Sequence, residues 1–98
     1  MYVILGAAGF LGSYLIQSVL THTEERILAA ARRPDGITAS SRVIPVKCDV
    51  TVPADREALA ARMREGEPCR VIYLAAYHNI DVVAKHPRDA WQVNIIAL

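Results

Sequence analysis

Gly6-Ala7-Ala8-Gly9-Phe10-Leu11-Gly12 is the stretch on which the reading of this chain turns. It follows Tyr2 to Leu5, a short apolar run that predicts a strand. From Phe10 to about Thr21 the apolar period changes: Leu11, Leu15, Val19 and Leu20 form one face, and Tyr14, Gln17 and Thr21 fall on the other. That is the pattern of an amphipathic helix. The first glycine permits a tight turn off the strand. The second lets the backbone approach a pyrophosphate, and the third lets the helix pack against the sheet. The helix start presents unsatisfied N–H groups and the positive end of its dipole to phosphates. Nucleotide binding is therefore expected here, against the alternative of a merely structural strand–turn–helix corner. No Gly-Lys-Ser/Thr follows, which excludes a P-loop.

Outward from that turn, Ile27 to Ala31 predicts a second strand, weak by propensity because of its three successive alanines. Arg32-Arg33-Pro34-Asp35-Gly36 stops it with turn chemistry, and Ile37 to Arg42 reads as loop. Val43 to Val46 is a third strand, and Pro45 inside it suits a place near a sheet edge. Pro53 and Asp55 open a second helix with Ala58, Leu59 and Met63 as its buried side, and Gly66 closes it. Arg70 to Ala76 is a fourth strand, a continuous apolar run through Val71, Ile72, Tyr73 and Leu74. A helical tail follows, punctuated by Pro87, with Ala90, Trp91, Val93 and Ile96 as apolar positions. The order β-α-β-β-α-β-α, with crossovers too long for hairpins, implies a Rossmann-type α/β fold. The expected parallel sheet has strand order 3-2-1-4, with helices on both faces and the cofactor site at the carboxyl ends of strands one and four.

Composition agrees with one small domain over residues 1–98. Hydrophobic residues make up 53% and charged residues 21%, which excludes a disordered tail. The formal net charge is +1 without a long run of like charge, so neither nucleic acid nor a membrane surface is expected as partner. Cys48 and Cys69 have no metal-ligand spacing and no CxxC, and they read as inert thiols in a reducing cytoplasm. The opening Met-Tyr-Val-Ile-Leu runs straight into glycines, so no signal peptide or membrane span is expected.

The residue that would read the cofactor ribose lies about 20 positions beyond the last glycine. Counted from Gly12, that is Arg32, with Arg33 beside it. An acidic residue there would accept from the 2′-OH of NAD, whereas two guanidiniums offer a bidentate site for a 2′-phosphate. The expected cofactor is therefore NADP(H), with NAD(H) as the second choice. The structural alternative is a pair of solvated arginines at a strand end.

With these residues in view, the chain resembles the extended short-chain dehydrogenase/reductases, the NAD-dependent epimerase/dehydratase family. Gly6 to Gly12 looks like that family's glycine motif, in which Phe10 and Leu11 also line the cofactor. Cys48-Asp49-Val50 resembles its aspartate-plus-apolar pair after the third strand, which implies contact of Asp49 and Val50 with the adenine. Leu74-Ala75-Ala76 resembles the segment ending the fourth strand, which passes under the nicotinamide side. Val93-Asn94 resembles the Val-Asn of the next helix, and the resemblance implies a supporting catalytic role for Asn94. Leu5 departs from the pattern, since the family often has Thr before the first glycine. Alternatives stay open: Asp49 as a cap at the helix entry near Pro53, and Asn94 in a structural hydrogen bond to the fourth strand.

The resemblance implies hydride transfer on a small carbonyl or hydroxyl carbon, of a nucleotide sugar for example, through a Tyr-x-x-x-Lys pair and a nearby Ser or Thr. None of Tyr2, Tyr14, Tyr73 and Tyr77 has Lys four residues later. His22 and His86 read as exposed polar residues, while His78 lies where a cleft would open. No metal site is expected. The fold is expected to be the N-terminal half of a longer family fold, truncated before the fifth strand. Its open sheet edge calls for further strands, another chain, or self-association as a homo-oligomer. The rivals to an enzyme part are a non-catalytic dinucleotide-binding module and a vestigial structural fragment that self-associates.

Overall fold

A computed structural model of the protein describes residues 1–65, 68–75, 85 and 88. The elements described in full are the strands β1 (Tyr2–Leu5), β2 (Ile27–Ala31), β3 (Val43–Lys47) and β4 (Arg70–Tyr73) and the helices α1 (Phe10–His22), between β1 and β2, and α2 (Pro53–Glu65), between β3 and β4. Every strand pair is parallel and the order is β3-β2-β1-β4, as the sequence predicts. A 3-10 turn over Pro34–Gly36 follows β2, where the Pro-Asp-Gly run predicts one.

Alternation along the strands divides the core into two layers. Ile4, Ile27, Ala29 and Val43 pack with Ile16 and Val19 of α1. Val3, Leu28, Ala30 and Cys48 pack on the other face with Leu59 of α2. All five residues of β2 are buried, including the three alanines. A strand covered on both faces needs no amphipathic pattern, and its place between β1 and β3 overrides its poor propensity. Burying side chains such as Ile4 and Ile27 contributes about 1.5–3 kcal/mol each.

Pro45 occupies the outer edge without cost. Ile27 N donates to Arg42 O and Cys48 N to Ala31 O, and the alternation between these two bonds turns the nitrogen of residue 45 away from β2.

Three expectations need correction. The buried face of α1 runs through Gly12, Ile16 and Val19, with Leu15 and Leu20 only half-buried and Leu11 58% exposed. Gly12 sets that phase, because it must face the backbone of Ala7. In α2, Ala58 is exposed, Met63 half-buried and Leu59 alone buried. Strand β4 ends at Tyr73, where β1 ends at Leu5 and the chain turns away at Gly6; Leu74 N still donates to Leu5 O, and the expected strand end at Ala76 lies outside the described residues. The cap at Gly66 and the helical tail lie outside the described residues, apart from the exposed helical positions Lys85 and Arg88.

One end of the sheet is tied by side chains. The Arg42 guanidinium donates to the carbonyls of Leu20, Thr23 and Glu25, closing the C-terminal end of α1 against the start of β3. The Met1 ammonium pairs with Glu25 at 2.9 Å, and Arg70 approaches the same carboxylate at 3.5 Å. Among the described residues no helix is long and apolar enough to cross a membrane.

Candidate functional site

The opposite end, where the strands finish, carries the predicted site residues. Gly6 has φ +86, a left-handed conformation that a residue with Cβ adopts only under strain. A Cβ there would also meet the Leu74–Ala75 peptide, 2.7 Å from the Ala75 nitrogen. Leu74 N donates to Leu5 O at 2.7 Å, so this glycine fits under the chain leaving β4. The amides of Gly6 and Ala7 both donate to Ala30 O, which carries the turn across the end of β2.

Gly9 serves a different purpose. A Cβ on it would meet only Gly6 O, at 3.6 Å, so the space beside it is open. It is the N-cap of α1, extended at φ −77 and ψ 176, with no side-chain cap and no acidic residue in the first turn. The first internal bond of the helix is Ser13 N to Gly9 O at 3.0 Å. The amides of Phe10, Leu11 and Gly12 therefore have no partner among the described residues. Helix geometry aims such amides out of the N-terminus with the positive end of the dipole behind them. The donor set fits a phosphate oxygen, and among the described residues a Cβ at Gly9 would meet only an ordinary contact. Gly12 departs slightly from expectation: its missing Cβ makes room for the backbone of Ala7 in the turn, at 2.5 Å, rather than for the sheet itself.

Phe10 is 81% exposed, and its ring meets Tyr14 edge-on at 5.0 Å between centroids. Together with exposed Leu11 they make an apolar flank to the amide cradle. The Ser13 hydroxyl donates to Phe10 O at 2.8 Å, so it is engaged within the helix.

Arg32 and Arg33 are exposed just past β2. Across from them, Asp49 follows β3. Its Oδ1 accepts from both the amide (2.9 Å) and the hydroxyl (2.6 Å) of Thr51. The Thr51 hydroxyl is the main reason its carboxyl lies below the ordinary range; partial burial opposes this, while the Thr51 amide and the charges of Arg32 and Lys47 reinforce it. The cap alternative fails, because Asp49 organises the turn ahead of α2 rather than bonding the helix. Asp55, in the first turn of α2, instead accepts from the Asp49 amide at 2.9 Å. Val50 is buried, and its carbonyl accepts from Arg56 at 2.7 Å.

Two further groups lie close by. Burial, followed by the charges of Asp55 and Asp49, pushes the Cys48 thiol up. Burial likewise raises Tyr73, which therefore stays protonated at neutral pH.

The structure thus brings Gly6, Gly9, Phe10, Leu11, Gly12, Leu74 and Ala75 together at one corner, and Arg32, Arg33, Asp49 and Val50 at the neighbouring strand ends. Ala76, His78 and Asn94 lie outside the described residues. Sequence reasoning missed Thr51 and Asp55. The Asp-x-Thr spacing of an Asx turn was the available signal for the first, whereas the Asp55–Asp49 bond depends on how α2 docks.

The model of the NAD dependent epimerase/dehydratase family matches residues 2–98. No curated protein matches the chain by sequence. Among solved structures, an epimerase from Methanothermobacter thermautotrophicus superposes with a TM-score of 0.80 at 22% identity, over 98% of this chain and 28% of that one. A short chain dehydrogenase from Burkholderia cenocepacia, solved with NADP, gives 0.84 at 22% identity, over 98% and 42%. UDP-glucose 4-epimerase from Thermus thermophilus, solved with NAD, gives 0.75 at 23% identity, over 99% and 31%. At these identities the likeness is one of fold. The chain spans less than half the length of each.

Proposed function

The chain belongs to the NAD dependent epimerase/dehydratase family, and from that premise we propose that it is the dinucleotide-binding part of an oxidoreductase or epimerase. The cofactor, when bound, exchanges a hydride with a carbonyl or hydroxyl carbon of a small substrate, of which a nucleotide sugar is one example. In this reading the amides at the start of α1 hold the pyrophosphate, Gly9 leaves the room for it, and Gly6 and Gly12 keep the turn tight. Phe10 and Leu11 cover the cradle from the solvent side. Leu74 and Ala75 form the floor on the nicotinamide side, a role that the family's Leu-Ala-Ala segment extends to Ala76, and Asp49 with Val50 borders the adenine. Arg32 and Arg33 favour NADP(H) over NAD(H) by pairing with a 2′-phosphate. Asn94 holds a supporting role, and the general acid–base chemistry falls to residues other than these.

One observation carries the reading: a helix N-terminus with no capping side chain and no acid in its first turn, where among the described residues a Cβ at Gly9 would meet nothing closer than 3.6 Å. Isothermal titration with NADPH and NADH tests it. NADPH binding at least about tenfold tighter than NADH, with the preference lost in Arg32→Asp, is expected. No heat with either nucleotide would overturn it.

A further inference from the structure

We propose that Lys47, at the end of β3, is a second determinant of dinucleotide choice, converging with Arg32 from the neighbouring strand on the 2′-phosphate. The inference rests on the reading of this end of the sheet as a dinucleotide cradle.

The placement comes from the sheet. β2 and β3 are parallel, and their last register pair is Ala31 with Lys47. The ladder is still intact one residue later, where Cys48 N donates to Ala31 O at 2.9 Å. Neighbouring strands stand about 4.8 Å apart and Arg32 follows Ala31 directly, so Arg32 and Lys47 leave adjacent strands one residue out of level, within reach of one anion by their long side chains. Both are exposed. By the alternation of β3, Lys47 shares the face of Val43, which is the face that packs on α1 and carries the amide cradle, whereas Arg32 lies past the end of β2 and is not held to the alternation of that strand.

The charges agree with that placement. Arg32 and Lys47 both help to hold the Asp49 carboxyl below its ordinary value, so each stands near it. The Asp49 Oδ1 is already engaged by Thr51. Counting Arg33 and Asp35 of the same segments, and Asp55 and Arg56 bonded beside Asp49, four cations stand against three carboxylates. The excess positive charge suits a phosphate and has no counterpart in an unmodified ribose hydroxyl. The two cations differ in what they supply: Arg32 a planar fork, Lys47 a compact point charge.

Adenosine 2′,5′-bisphosphate and adenosine 5′-monophosphate differ only in the 2′-phosphate, and titrating both into the purified protein tests the proposal. For Lys47→Gln, about a tenfold loss for the bisphosphate and less than about a twofold loss for the monophosphate are expected. Lys47→Arg retains most of the bisphosphate affinity. Equal losses for both nucleotides, or no loss for either, would overturn the role of Lys47. A wild-type protein that binds the two nucleotides equally would overturn it while leaving the cradle standing. A wild-type protein that binds neither, nor NADH, would remove the cradle and this proposal with it.

Discussion

Gly6 and Ala75 are in backbone contact so close that a Cβ on the glycine would stand 2.7 Å from the alanine nitrogen. This contact locks the end of β1 to the end of β4, the two strands at whose carboxyl ends the cradle lies.

Gly6→Ala meets two obstacles at once, the positive φ and the Ala75 peptide. A loss of about 2 kcal/mol or more is expected, from left-handed strain plus a backbone shift. The midpoint of urea unfolding measures it.

Gly9 and Gly12 separate binding from folding. Gly12→Ala drives a Cβ into Ala7 O at 2.5 Å and lowers the melting temperature. Gly9→Ala meets nothing closer than 3.6 Å, so its stability stays within about 0.5 kcal/mol of the parent while dinucleotide affinity falls. Thermal melts alongside titration of both variants distinguish the two effects.

Arg42→Ala removes four hydrogen bonds to three carbonyls and leaves those acceptors without the guanidinium. A cost of about 2–4 kcal/mol is expected. Arg42→Lys recovers only part of it, because an ammonium cannot span the fork. Chemical denaturation of the two variants against the parent gives both numbers.

The Asp49 carboxyl lies below its ordinary value of 3.8, with the Thr51 hydroxyl as the leading cause. A depressed folded pKa contributes stability that is present above the unfolded value and lost as pH falls through the folded one. Thr51→Val should therefore be less stable than the parent at neutral pH, with the gap narrowing below the ordinary value of 3.8. Melting curves of both proteins from neutral to strongly acid pH check this, and a gap independent of pH would count against it.

Cys48 is buried, with its thiol raised above the ordinary 9.0. The raised folded value means its contribution to stability is complete below pH 9.0 and declines as pH rises beyond it. Slow alkylation of the folded protein at neutral pH, and fast alkylation in urea, is expected from peptide mass spectrometry.

The glycine turn, the strand order and the edge position of β3 were legible because each depends on local residue chemistry: glycine at a turn, Pro45 in a strand, alternation of apolar runs. The rotation of α1 was not. Leucines counted by spacing put Leu11 inside, whereas the phase is set by Gly12 against Ala7, a contact between helix and turn that no periodicity encodes. The Arg42 clamp was equally hidden, since its three carbonyl partners lie 17 to 22 residues upstream. In the candidate site, the glycines and the exposed arginines were readable from spacing. Lys47 was not, because only the register of β2 with β3 brings it beside Ala31, the residue before Arg32.

The side-chain ties are unevenly distributed. Among the described residues, those that join distant parts of the chain, through Met1, Glu25, Arg42 and Arg70, gather where the strands begin. Where the strands end, the side-chain bonds of Asp49, Asp55 and Arg56 reach six residues or fewer. Drift in the side chains of Asp49, Asp55 and Arg56 therefore disturbs one loop at a time, while drift at the base loosens the whole sheet. Such an arrangement lets specificity change under selection without refounding the fold.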